Sequence, residues 1–168
     1  MTPDPRRTGP SRLLSMPSAL SASAARRLRE SLDEQLSALG EAPFEGDDEA
    51  AVAACARAVL RAEEPLRGAV KAAVRGTLAV LADRAPGRSL EVRVPPHGAV
   101  QVIEGPRHTR GTPPGVVETD PLTWLRMATG HTSWEQGVSE HRVQASGARS
   151  DLSGHLPLWP APPRVVPC

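Results

Sequence analysis

The chain is 168 residues long, with 39% hydrophobic residues, 23% charged residues and a formal net charge of +1. That mixture suits one globular domain with spare sequence around it, and argues against a wholly disordered chain. Near neutrality leaves no excess positive field for phosphates, and an aromatic content of 2%, with no Tyr, offers no stacking platform. No nucleic-acid partner is therefore expected.

Lys71 is the only lysine, and Ala, Gly, Pro and Arg abound, which reads as a GC-rich, bacterial coding bias. Residues 1–20 are rich in Pro, Ser, Thr and Arg without periodicity and read as a disordered arm. From Ser21 or Ser23 the pattern turns helical, with Leu28, Leu32, Leu36 and Leu39 on one stripe and Gly40 as a stop. Asp47 or Asp48 caps a second helix to about Arg61, with Val52, Cys55, Val59 and Leu60 on its apolar face. A third helix begins near Pro65, a first helical position, and carries Leu66, Val70, Val74, Leu78 and Leu81 to about Arg84.

The period then changes to two. Leu90, Val92 and Val94 alternate with Glu91 and Arg93, which predicts a half-buried strand. Residues 95–98 turn the chain into a second strand, Ala99 to Glu104, so a hairpin is expected. Residues 105–115 form a loop, and Val116 to Glu118 is a short strand. Asp120 caps a helix with Pro121 at its first position, stopped by Gly130. Thr132 and Glu135 fit a capping box opening a short helix to about Glu140. Arg142 to Ser146 is strand-like, and Asp151 caps a final short helix through His155 and Leu156. The tail after Pro157 cannot stay helical.

Catalytic chemistry is mostly missing. No serine sits in a Gly-x-Ser-x-Gly elbow, and neither cysteine has a histidine near it in sequence. His97, His108, His131, His141 and His155 are scattered without metal-ligand spacing, so neither a metal nor another cofactor is expected. The candidate polar site is the loop from Gly105 to Gly111, where Arg107, His108 and Arg110 could hold a carboxylate or phosphate, brace the loop, or simply be solvent-exposed. An undetected enzyme would need a cleft joining His108 to an acid such as Glu118. No apolar run approaches the ~18 residues of a membrane span, and residues 3–17 are too interrupted by proline for a signal peptide. A cytoplasmic protein with reduced cysteines, and without stable membrane insertion, is expected.

The segment DPLTWLRMATG-HTSWEQGVSEHRVQASG-ARSDLSGHLPLW, residues 120–159, resembles the C-terminal signature of sterol-carrier-protein-2-like domains. There an acid-capped helix ends in "TG", a short capped helix follows, a strand ends in "SG", and a last helix closes the fold. The block from Arg84 to Asp120 looks like the actinobacterial branch, the bacterial orthologues of sterol carrier protein. The resemblance implies an α+β fold: a small, mostly antiparallel five-stranded sheet covered by helices, enclosing an apolar tunnel. The fifth strand would lie near Val165 or within residues 111–117. The implied organisation is an arm (1–20), an N-terminal helical extension (21–64), the sterol-carrier-like domain (65–159) and a Pro-rich tail (160–168).

Carried over residue by residue, the tunnel wall draws on Val92, Val94, Val100, Val102, Leu122, Leu125, Trp134, Val138, Leu152 and Leu156. Arg107, His108 and Arg110 would meet a polar head group. The implied function is non-enzymatic carriage of a lipid, fatty-acyl or sterol-like ligand. The alternative is a protein-interaction module with a packed core and no tunnel. The related mycothiol-dependent isomerases place metal-binding histidines in preceding helices; here the first histidine is His97.

Overall fold

Ser21 opens the first helix, α1 (Ala22–Ala38), its hydroxyl accepting the Ala24 N–H at 3.2 Å. Gly40, at φ +75°, closes that helix in the left-handed region where glycine is unstrained. The structure, a computed structural model, describes residues 19–105 and 115–161. Asp47 caps α2 (Asp48–Arg61) through the Ala50 N–H at 2.8 Å. The third helix, α3 (Arg67–Arg84), begins two residues after Pro65, so Pro65 is not its first residue. Its cap is Leu66, which has no side-chain acceptor to offer and is 39% exposed rather than part of the buried stripe. The buried amide of Gln35 does the capping from α1, accepting the Leu66 N–H at 2.8 Å.

Strands β1 (Leu90–Val94) and β2 (Gly98–Val102) form the expected hairpin, in register from Leu90↔Val102 to Val94↔Gly98. Strand β3 (Gly115–Thr119) pairs parallel to β1, and after α4 (Pro121–Ala128) and α5 (Trp134–Ser139), β4 (Val143–Gly147) pairs antiparallel to β3. The sheet order is β2-β1-β3-β4. The expected five strands are thus four among the described residues, with two of the three pairings antiparallel. The described chain after β4 carries Pro157 and Pro160 and anchors itself by burying Leu152 and Leu158 instead of pairing. The strand position expected near Val165 lies outside the described residues.

Two local expectations fail for identifiable reasons. The capping box of α5 is Ser133 with Gln136, one residue later than Thr132 with Glu135. The Thr132 N–H is already engaged by the Arg126 carbonyl closing α4, so it cannot receive the reciprocal side-chain bond. The final helix at Asp151 does not form: its carboxylate bonds the Ser153 N–H two residues on, a turn geometry, and Gly154 and Pro157 follow.

The register sorts the sheet into an inner, apolar face and an outer face bearing Gln101, Glu91, Arg93, Glu118 and Gln144. Buried residues of α1 and α2 (Leu32, Val52, Val59) join those of α3, β1 and α4 (Leu78, Val92, Trp124) in one continuous core. Cys55 lies in it with its Sγ 3.6 Å from the Ala69 carbonyl, and burial pushes its thiol pKa up to about 12. Alkylation of the native protein followed by peptide mass mapping should leave Cys55 unlabelled, and the same reagent in denaturant should label it fully.

At the hairpin turn His97 is half-buried, and burial first, then Arg75 and Lys71, hold its imidazole below the usual value of 6.5. Above that value the ring is neutral folded or unfolded. Below it the unfolded chain takes up the proton first, so this contribution to stability is lost as pH falls from 6.5 through the folded value. An NMR titration of the His97 ring protons should give a midpoint under 6.5.

Candidate functional site

The predicted wall residues fall into three groups. Val92, Val94, Val102, Leu125 and Leu152 are fully buried, and Trp134 is nearly so. Val100, Leu122 and Leu156 are half-buried against the same core. Val138, on α5, is 40% exposed. Val92, Val94, Val100 and Val102 share the inner face of β1 and β2 because the strand period is two. Arg107, His108 and Arg110 lie outside the described residues.

Cover over that inner face is uneven. Val117 of β3 is buried, yet its partner Ala145 on β4 is exposed, and so is Gly147 opposite the buried Gly115. Helix α5, six residues long, is the nearest cover to this edge. It packs through Gly137, where a Cβ would lie 2.9 Å from the Met127 sulfur and 3.0 Å from Val143 Cγ2. Absence of a side chain there is what lets α5 lie close to α4 and β4.

Among the described residues three clefts open elsewhere, and none of these touches a predicted wall residue. The widest, about 1000 Å³, runs between α2, the end of α3 and the C-terminal segment, with Phe44, Val52, Val80 and Trp159 among its apolar lining. Its polar lining is Asp47, Asp48, Glu49 and Asp83 against Arg57 alone. The Arg57 Nε is buried without a partner, while its Nη2 reaches the Pro160 carbonyl at 3.3 Å. A second cleft, about 340 Å³, lies over the small residues Gly68, Ala72 and Gly76 between α1 and α3, and Arg27, Lys71 and Arg75 line it with Glu30 and Glu34. The third, about 330 Å³, surrounds Pro43 to Glu45.

The widest cleft among the described residues is not legible in the sequence. Phe44 and Trp159 were its one available signal, as isolated aromatics in an aromatic-poor chain, but they lie 115 positions apart and only the fold joins them. Arg84 organises this join: it pairs with Glu49, donates to the Leu158 carbonyl, and stacks 5.5 Å from the Trp159 ring centroid. Arg84→Ala should release the C-terminal segment and lower stability by roughly 1–2 kcal/mol, an effect larger than an exposed ion pair gives because a carbonyl and a ring lose their partner as well. Urea unfolding, with Trp fluorescence as the probe, checks this.

Among the described residues no three His, Cys, Asp or Glu side chains converge as a metal set, and no helix is long and apolar enough to cross a membrane. No curated protein matches the chain. The family model described as bacterial SCP ortholog matches residues 66–158, from the cap of α3 to the segment after β4. That is more than half of the chain and takes in the whole sheet, and on this match the chain belongs to the bacterial sterol carrier protein orthologue family.

Proposed function

We propose that the chain is a non-enzymatic cytoplasmic protein that binds and carries an apolar ligand, lipid, fatty-acyl or sterol-like, between the inner face of the sheet and its covering helices. The observation that carries this reading is the family match across residues 66–158. In this reading the inner face supplies Val92, Val94, Val100 and Val102 as ligand contacts, the covering elements supply Leu122, Leu125, Trp134, Leu152 and Leu156, and Val138, exposed on α5, joins them only once the ligand is bound. Arg107, His108 and Arg110 take the head group.

The resting interior is closely packed, so ligand entry requires something to give. Helix α5 is the element to move: it is short, packs through a glycine, and adjoins β4, where the inner-face Ala145 and Gly147 are exposed. Met127 beneath it is an adaptable lining. Burying about 300 Å² of acyl surface at roughly 25 cal/mol per Å² gives about 7 kcal/mol, enough to offset displacing one short helix.

Titration with a fluorescent fatty-acyl probe should saturate at one ligand per chain, and organic extraction of the purified protein should yield a lipid by mass spectrometry. Gly137→Ala, which crowds Met127 and Val143, should speed probe association severalfold by lifting α5. Absence of both extracted lipid and saturable binding overturns the reading. It would favour a packed protein-interaction module, for which the full burial of Val92, Val94, Val102, Leu125 and Leu152 already speaks.

A further inference from the structure

The widest cleft among the described residues is lined by apolar and acidic side chains, and the described chain begins in its lining: Ala19 and Leu20 are both part of it. Eighteen residues precede them, and these carry Arg6, Arg7 and Arg12 against a single acid, Asp4, with the apolar pair Leu13 and Leu14 between Arg12 and the cleft. We propose that this segment, residues 1–18, is the occupant of the cleft, with Leu13 and Leu14 against the half-buried Phe44, Ala54 and Trp159 of its lining and the arginines near its acidic residues.

Reach and charge agree on this occupant. Leu14 is six residues from Leu20, and at roughly 3.3–3.6 Å per extended residue it stays within about 20 Å of it. That span covers a cleft of about 1000 Å³ whose own lining contains Leu20. Asp47, Asp48, Glu49 and Asp83 line the cleft, and Arg57 is the only cation facing them within it. Arg29 and Arg84 pair with Asp48 and Glu49 from outside the lining, while Asp83 has no ion-pair partner among the described residues. A basic segment is therefore attracted, by surface charge pairs that salt will screen.

The neighbouring cleft between α1 and α3 also includes Leu20, but three cations line it against two acids, so it repels the same segment. Tethering makes the docking intramolecular, with an effective concentration in the millimolar range for so short a connection, so a weak contact suffices to hold it.

The test uses the full chain and trypsin. Cleavage after Arg12 should be at least tenfold slower in the native protein than in a free peptide of residues 1–20, because the bond to Leu13 would lie in the cleft. Leu13→Asp/Leu14→Asp should abolish the protection while leaving the thermal midpoint and the near-ultraviolet circular dichroism of the remainder in place. Asp83→Lys should weaken the protection severalfold, with the difference shrinking in high salt. Equal cleavage rates for protein and free peptide overturn the proposal. So does protection that grows with protein concentration, which would seat a second copy in the cleft. The measurement needs no lipid, so its failure and that of the carrier reading are separate.

Discussion

Gly87→Ala should destabilise the protein by about 3 kcal/mol or more, among the largest effects any single methyl group can have in this chain. A Cβ built at Gly87 falls 2.0 Å from the carbonyl carbon and oxygen of Ile103 and 2.3 Å from the Glu104 nitrogen. Those are backbone atoms, so no rotamer change relieves the clash. Ile103 is itself held in the left-handed region at φ +65°, where a β-branched residue is strained. Three hydrogen bonds fix it there: its N–H to the Ala85 carbonyl at 2.8 Å, and its carbonyl to the Ser89 N–H at 3.1 Å and hydroxyl at 2.7 Å.

Making room for the methyl means opening that knot, at roughly 0.5–1.5 kcal/mol per bond, and forcing alanine into φ +152° as well. For a chain of this size the midpoint should fall by roughly 6–12 °C, at about 2–4 °C per kcal/mol. Two controls separate the causes. Gly40→Ala meets nothing within 4 Å but sits at φ +75°, so it should cost only about 1 kcal/mol of conformational strain. Gly154→Ala meets nothing and has no unusual φ, so it should be close to neutral. Thermal unfolding of the three variants side by side checks the ordering.

The same knot explains where the sequence is opaque. Apolar period and caps are local signals, so Leu28, Leu32 and Leu36, the Asp47 and Asp120 caps, and the β1–β2 hairpin are all legible in the residues themselves. The second strand, expected to run to Glu104, ends at Val102, because Ile103 turns aside to bond Ala85 and Ser89, partners no local pattern discloses. The capping box slips by one because two overlapping Ser/Thr-x-x-Glu/Gln frames exist, and α4 claims the Thr132 N–H. Helix α3 starts late because its cap comes from Gln35, 31 residues away. Of the candidate site, the inner-face valines are legible from alternation alone. The widest cleft is not, since its two ends meet only when Arg84 draws the C-terminal segment onto α2 and α3.

Removing the side chain of Trp124 should match or exceed the glycine effect and also probe the interior as a ligand space. Trp124 is fully buried on α4, and its Nε1–H donates to the Thr77 hydroxyl of α3 at 2.8 Å. Thr77 in turn donates to carbonyls of its own helix, Ala73 at 2.8 Å and Val74 at 2.9 Å. Trp124→Ala leaves a void in close-packed surroundings and should cost about 3–5 kcal/mol. Thr77→Val keeps the volume but strands a buried indole N–H, at about 1–3 kcal/mol. Combining Thr77→Val with Trp124→Phe should cost less than the sum of the two, because once the indole is gone no donor is stranded. Unfolding in urea measures all four. The functional arm turns on where the ligand sits. If the interior under α4 is continuous with the ligand space, Trp124→Ala enlarges it and should raise probe affinity even as stability falls. An unchanged affinity would confine the ligand to the edge beneath α5, where Gly137 rather than Trp124 sets the room.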